Sequence, residues 1–562
     1  MTEHNTDILF EVRDLQIEAR PFDAPPIPIV KGVSFDVMPG KVVALIGESG
    51  SGKTTISLSS LGYTKPGLHF SGGTGKLWGK DMLALTADEK RSMRGEHVAY
   101  LAQSAAATFN PALKIGEQVT ESAVLGGMRQ AEADKRALEL YHALELPDPE
   151  RIGGRYPHQV SGGQLQRLMA AMALVEKPDL LVLDEPTTAL DVTTQIEVLK
   201  AFKKVIQEEG SAAIYVTHDL AVVAQIADHI VVLYSGKVQE QGPTEEIINN
   251  PKHPYTKKLM SAVRPAPSVE HAKVSDGAFR RDMPALDVKN VTAGYGKNPD
   301  GSPAVTILKD VSVTVERGHV VGVIGESGCG KSTLARVMAG ILPAYQGDVL
   351  LDGEKLEADL RNRKKSELQK VQFVFQMADT ALNPRHTLGQ IIGRPLTFYH
   401  GLRGRKRRER VAELLDMVEL PSSFANRLPM ELSGGQKQRV GLARALAADP
   451  VVIICDEVTS ALDTIVGANV IRLLGDLRDK TGVSYVFISH DLSTVASFAD
   501  EILVLYNGEV VDFGPVRDVL TEPKPYTELL IKSVPEMRVG WLDDIAETQQ
   551  EMAERFKAGE YA

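Results

Sequence analysis

Two stretches of the chain, GESGSGKT at 47–54 and GESGCGKS at 325–332, share the spacing G-x-x-x-x-G-K-[ST]. Gly47, Gly50 and Gly52, like Gly325, Gly328 and Gly330, free the backbone to wrap around a polyphosphate and aim its N–H groups at the charge. Lys53 and Lys331 can reach the β and γ phosphates, and Thr54 and Ser332 offer a hydroxyl to Mg2+. Ser49, Thr55, Ser327 and Thr333 stand in the same loops and join the candidate set. The bland alternative is a chance glycine-rich turn. A strand-like run before each loop, a helix-like run after it and the repetition of the motif weigh against that.

A second chemistry lies in two apolar runs that end in acid pairs, DLLVLDE with Asp184 and Glu185, and VVIICDE with Asp456 and Glu457. An aspartate closing a buried strand can hold Mg2+ through its shell. The glutamate that follows can orient and deprotonate an attacking water. A purely structural role would leave adjacent carboxylates desolvated with no cation, which is costly.

The elements that must position these groups occur twice, in the same order. Lys53 and Lys331 lie 278 residues apart, Gln103 and Gln376 273, and the pairs Ser161/Ser433, Asp184/Asp456 and His218/His490 each 272. Within each repeat, KVVALIG or HVVGVIG leads into the glycine-rich loop, and AAIYVTH or YVFISH supplies a third apolar run ending in a polar residue. Such runs read as buried parallel strands whose C-terminal ends carry a site, hence an α/β core. Between the Gln and Ser positions the period turns helical, with Ala137, Leu140, Tyr141 and Leu144 in the first repeat and Val411, Leu414, Leu415 and Val418 in the second. Each repeat therefore carries a helical insertion. The segment from about Arg264 to Pro284 has three prolines and mixed charge, and reads as a linker.

Composition narrows the class. The 562 residues hold 63 Lys+Arg against 74 Asp+Glu, a net charge of −11, with 43% apolar residues. That is a globular composition, and the acidic excess disfavours binding through nonspecific phosphate contacts. Two cysteines, Cys329 and Cys455, are too few for a disulfide framework, a cysteine-rich zinc site or a four-cysteine iron–sulfur cluster. The first residues lack the layout of a secretory signal, and no run is long enough to span a membrane, so any membrane role is expected to come through a partner.

SGGQLQR at 161–167 and SGGQKQR at 433–439 precede the acidic strand ends. With these motifs the chain resembles two ATP-binding cassette subunits fused head to tail, over nearly its whole length. The resemblance implies two P-loop NTPase domains, each a RecA-like α/β core with a helical subdomain, using ATP and Mg2+. The domains would be 1–264, with a helical subdomain at about 104–160 and a tail at about 243–264, then a linker at 265–284, then 285–562, with a helical subdomain at about 377–432 and a tail at about 515–562.

The resemblance also implies composite sites. Lys53, Thr54, Asp184, Glu185, Gln103 and His218 would be completed by Ser433, Gly434 and Gly435. Lys331, Ser332, Asp456, Glu457, Gln376 and His490 would be completed by Ser161, Gly162 and Gly163. Gln103 and Gln376 would touch metal or water, and His218 and His490 the γ phosphate and the nucleophile. Tyr295 falls where the family keeps an aromatic against adenine, and Phe22 is the nearest candidate in the first repeat. Cys329 reads as a small filler of its loop, and RGRKRRER at 403–410 as a solvated helix start rather than a nucleic-acid patch.

Two functional classes fit such a chain: the motor of a membrane transporter, and a soluble tandem-cassette ATPase acting on ribosomes or DNA. The short linker and the lack of zinc modules or heptads favour transport. FNPALKIGEQV at 109–119 and LNPRHTLGQII at 382–392 resemble the permease-facing segment of peptide and nickel importers. NNPKHPYTKKLMSAV and TEPKPYTELLIKSV are similar to their P-x-H-P-Y-T tail, with Lys524 where the second copy would have His. The implied partners are two integral-membrane permease subunits and a solute-binding protein, with no nucleic acid, at the cytoplasmic face of the inner membrane. Peptides are the default cargo; nickel, opines and oligosaccharides are carried by systems that look similar.

Overall fold

The computed structural model of the protein describes residues 8–22, 25–187, 190–263, 284–460 and 462–545. The chain divides into two compact units, one containing residues up to Val263 together with a segment that begins at Pro535, the other containing residues up to Val534. The stretch read as a linker lies, apart from Pro284, outside the described residues.

In the first unit the main sheet runs in the order Lys237–Pro243, His229–Tyr234, Val42–Ile46, Ala212–Val216, Leu180–Asp184, Val98–Leu101. All neighbours are parallel except the edge strand Lys237–Pro243. Every residue of Val42–Ile46, Leu180–Asp184 and Ala212–Val216 is buried, as unbroken apolar runs require when both faces of a parallel sheet are covered. These three strands are neighbours, and their C-terminal ends lead to the loop at 47, the acid pair and His218. The second unit repeats the order with Glu509–Pro515, Glu501–Tyr506, Val320–Ile324, Ser484–Ile488, Val452–Asp456 and Val371–Val374.

Each unit also has a four-stranded antiparallel sheet, in the first unit Ile27–Val37, Phe10–Ala19, Leu68–Leu77 and Lys80–Asp81. Phe10, Val12, Leu15 and Ile17 pack there with Val43, Leu45, Val182 and Ile214 of the parallel sheet. The helical insertion of the first unit contains Ile115–Leu125 and Gln130–Ala143, and leads to Gly162–Leu174. Its counterparts are Leu388–His400, Gly404–Met417 and Gly434–Leu446. The residues at helical spacing, Ala137, Leu140, Tyr141 and Leu144, and Val411, Leu414, Leu415 and Val418, are all buried. The arginine-rich run opens Gly404–Met417, where Arg405 pairs with Glu409 at 2.6 Å and Arg410 with Glu413 at 2.9 Å.

One boundary differs from the sequence expectation. The sequence places a tail at about 515–562 in the second domain, whereas the segment from Pro535 to Ile545 packs into the first unit. Trp541 and Leu542 are buried against its helices, in one cluster with Val198, Phe202, Val222 and Ile226. Gln225 fixes the segment, donating to the carbonyls of Glu536 (2.7 Å) and Arg538 (3.0 Å) and accepting from the Leu542 N–H (3.0 Å). Lys203 pairs with Asp543 at 2.7 Å. Burial of a large aromatic outweighs sequence proximity here.

Candidate functional site

The glycine-rich loop of the first unit leaves Val42–Ile46 through Gly47, whose φ of +143° is open to glycine. A Cβ there would collide with the carbonyl of Leu233 on the neighbouring strand, and one on Gly325 would meet Leu505 in the same way. Lys53 is buried and donates from Nζ to the carbonyls of Gly47 (2.7 Å) and Glu48 (3.0 Å). Lys331 does the same to Gly325 (2.7 Å) and Glu326 (2.8 Å). Each ammonium thus sits inside the curl of its own loop.

The loop and the acid pair meet through a hydroxyl. Thr54 Oγ1 donates to Asp184 Oδ1 at 3.0 Å, and Ser332 Oγ to Asp456 Oδ1 at 3.0 Å. Burial pushes both aspartates above the usual carboxylate range, and these hydrogen bonds offset only part of that. Hydroxyl and carboxylate oxygens are hard donors, the set that suits Mg2+. A buried carboxylate held up by desolvation is stabilised by a cation beside it, so the residues present fit the ion.

Glu185 and Glu457 occupy the left-handed region, at φ +51° and +48°. Such backbone costs about 1–3 kcal/mol in a non-glycine residue and is retained where a side chain must be aimed. Gln103 Nε2 donates to Glu185 Oε2 at 2.7 Å, and Gln376 Nε2 to Glu457 Oε2 at 2.6 Å. The histidines differ: His218 Nδ1 lies 3.1 Å from Glu185 Oε1, whereas His490 Nδ1 stands 4.0 Å from Glu457 Oε2. Burial alone would lower the His218 pKa, but the hydrogen bond and charge of Glu185, with Asp219 behind it, raise it.

Ser161 and Ser433 are N-caps of Gly162–Leu174 and Gly434–Leu446, each in a capping box with Gln164 or Gln436. Gly162 has open space around its Cα, and Gly434 has only a van der Waals neighbour in Leu462. Gly163 and Gly435 instead face the next helix, where a Cβ would strike Thr194 or Val466. Tyr295 ends the strand Leu286–Tyr295, is 40% exposed, and its hydroxyl receives a hydrogen bond from Arg336 at 2.7 Å. Phe22 is fully exposed. Cys329 is buried, which raises its thiol pKa, and its counterpart Ser51 is buried too.

Sequence reasoning missed Tyr100. It lies on Val98–Leu101 and donates from its hydroxyl to Asp184 Oδ2 at 3.0 Å, so both oxygens of that carboxylate are engaged. The second unit has Phe373 in this register, opposite Ile454 as Tyr100 is opposite Val182. Among the described residues nothing donates to the corresponding oxygen of Asp456. A hydroxyl within an otherwise apolar strand was the available signal.

The ABC transporter family matches residues 30–188 and 308–460, and the oligopeptide/dipeptide transporter C-terminal region matches 239–278 and 511–560. The chain is 35% identical to the glutathione import ATP-binding protein GsiA of Escherichia coli (strain K12) over 553 residues, covering 91% of this chain and 87% of that one. It is 37% identical to the peptidoglycan transport ATP-binding protein YejF of Agrobacterium fabrum over 539 residues, covering 94% and 97%. A solved bacterial ABC transporter cassette, MJ0796, is 34% identical over 41% of this chain and 98% of its own, with a TM-score of 0.37. Among the described residues no helix is long and apolar enough to cross a membrane. The chain belongs to the ABC transporter family, as an ATPase built from two of its cassettes.

Proposed function

We propose that this chain is the ATP-hydrolysing motor of an importer for peptides or related small solutes. The observation that carries the reading is the repeated convergence, at adjacent strand ends, of a phosphate loop, an acid pair, a glutamine and a histidine. The reading draws further support from relatives named for the import of glutathione and the transport of peptidoglycan, and from the match of both tails to an oligopeptide/dipeptide transporter region.

In this reading Lys53 and Lys331 exchange their loop carbonyls for the terminal phosphates of ATP. Backbone N–H groups from Gly47, Ser49, Gly50 and Gly52 to Thr55, and from Gly325, Ser327, Gly328 and Gly330 to Thr333, hold the remaining oxygens. Thr54 with Asp184 and Ser332 with Asp456 would hold Mg2+, aided by Gln103 and Gln376; the ion supplies charge neutralisation at the phosphates. Glu185 and Glu457 take a proton from the attacking water as it adds to the γ phosphorus and ADP leaves. Gln103 fixes one oxygen of Glu185 and His218 the other, which orients the carboxylate. His490 stands farther from Glu457, at 4.0 Å, and is taken as a γ-phosphate contact as the resemblance implies. Ser161, Gly162, Gly163, Ser433, Gly434 and Gly435 are taken as γ-phosphate contacts and Tyr295 as the adenine platform, as the resemblance implies.

The protein works in this account as a peripheral subunit on the cytoplasmic side of the cell membrane, bound to two permease subunits that receive cargo from a solute-binding protein. Affinity purification of the full chain from detergent-solubilised membranes tests this. Two polytopic membrane proteins should copurify with it and stimulate its ATPase. Recovery with ribosomes or DNA instead would hand the case to the soluble reading.

A further inference from the structure

The proline–tyrosine motif of the two tails reaches the nucleotide loops. The helix Pro254–Ser261 begins at the motif, with Pro254 at its first position and the His253 Nδ1 accepting from the Tyr255 N–H at 3.2 Å. From there the Tyr255 hydroxyl accepts a hydrogen bond from the backbone N–H of Glu48 at 3.1 Å. Glu48 is the residue that follows the first loop glycine. In the second unit Tyr526, on the helix Pro525–Lys532, accepts from the N–H of Glu326 at 3.2 Å. The contact recurs in two units that differ at most other positions.

The surroundings make this a built contact. The Tyr255 ring lies 4.6 Å from that of Tyr234, at the end of the strand whose Leu233 carbonyl sits against Gly47. Tyr526 pairs with Tyr506 at 4.5 Å, beside Leu505 and Gly325. A carboxylate on the edge strand then fixes where the helix starts. Glu240 accepts the N–H groups of Lys252 (2.8 Å) and His253 (3.0 Å), and Asp512 accepts the Lys524 N–H (3.2 Å) and the Thr527 hydroxyl (2.9 Å). Lys524 in place of His costs the second copy one side-chain cap and leaves the tyrosine contact intact.

We propose that Tyr255 and Tyr526 are positioning residues for nucleotide binding, each fixing the entry of its glycine-rich loop to the tail of its own unit. The loop enters at a glycine with φ above +140°. The peptide after it is held at two points, its carbonyl by the loop lysine and its N–H by the tyrosine, and the tyrosine contact persists when the lysine turns to the phosphates. The tyrosine hydroxyl holds the peptide so that the following N–H groups face the phosphates before nucleotide arrives; pre-organisation of this kind is read in affinity. The assignment rests on the proposed reading of these loops as ATP sites.

The test uses the full chain with the single variants Tyr255→Phe and Tyr526→Phe, which keep the ring pair and remove only the hydroxyl. ADP binding by calorimetry and the KM and kcat for ATP are the readouts, with the unfolding temperature as control. The loss of one neutral hydrogen bond predicts roughly two- to tenfold weaker ADP binding at one of two sites in each single variant, with KM raised similarly and kcat much less affected. Amide exchange should quicken in the 47–54 loop for Tyr255→Phe and in the 325–332 loop for Tyr526→Phe, so each unit serves as the other's control. Parental ADP affinity, KM and loop exchange in both variants would overturn the inference alone. A parent chain that bound no ADP would overturn the nucleotide reading and the inference together.

Discussion

The two glutamates are held differently, and the difference is chemical. Glu185 is gripped on both oxygens by Gln103 and His218, while Glu457 has Gln376 within hydrogen-bond reach and His490 at 4.0 Å. The His218 pKa is raised in the folded chain, so its pairing with Glu185 stabilises the fold fully below the unfolded value of about 6.5. That stabilisation is lost as pH rises through the higher folded value. A double-mutant cycle on His218 and Glu185, read from denaturant unfolding without nucleotide, should therefore give a larger coupling at pH 6 than at pH 9. Equal coupling at both would mean that the histidine is not titrating against this carboxylate. At this scale the candidate residues were legible because loop, glutamine, acid and histidine recur in the same order in each repeat, with acid and histidine 34 residues apart in both (218 − 184 and 490 − 456). Tyr100 was not, since its partner Asp184 is distant in sequence and an aromatic on a strand reads as packing.

The elements explain why the motifs sit where they do. Three unbroken apolar strands carry the site at their ends, and the same runs that announced strands announced a site. The antiparallel sheets were invisible for the opposite reason. Phe10–Ala19 alternates buried and half-exposed residues and is bulged against both of its neighbours, which blurs its period. The signature segments were legible as Ser-Gly-Gly helix starts, but the division of labour between their glycines was not. Gly163 is needed where its helix crosses Val192–Glu209, against Thr194. Gly163→Ala should then cost about 1–3 kcal/mol, as overpacking of a close helix contact does, measured as a fall in the denaturant midpoint. Gly162→Ala, facing open space, should cost well under half as much; equal costs would contradict the packing account.

At the scale of the whole chain, the first unit includes residues encoded after the second. Trp541 is buried in one apolar cluster with Val198, Phe202, Val222 and Ile226, and Gln225 satisfies the backbone on either side of it. No helical or strand period marks this segment, because a short strap is defined by the apolar cluster it joins and that cluster is assembled from distant sequence. Trp541→Ala should cost the first unit about 3–5 kcal/mol. Hydrogen exchange should speed up in Val192–Glu209 and Leu220–Ile226 and leave Thr464–Thr481 of the second unit unchanged. Equal acceleration in both units would place the strap's contribution elsewhere.

The repeat also fixes what the chain must do as a motor, since each unit has a complete set of loop, aspartate and glutamate. The steady-state MgATP hydrolysis of Glu185→Gln and Glu457→Gln, compared with the parent in the assembled transporter, tests that claim most directly. Loss of a positioned general base predicts a fall of roughly 100-fold or more for each single variant when both sites must fire. A variant that hydrolysed ATP and moved cargo at the parental rate would contradict the account of two competent sites.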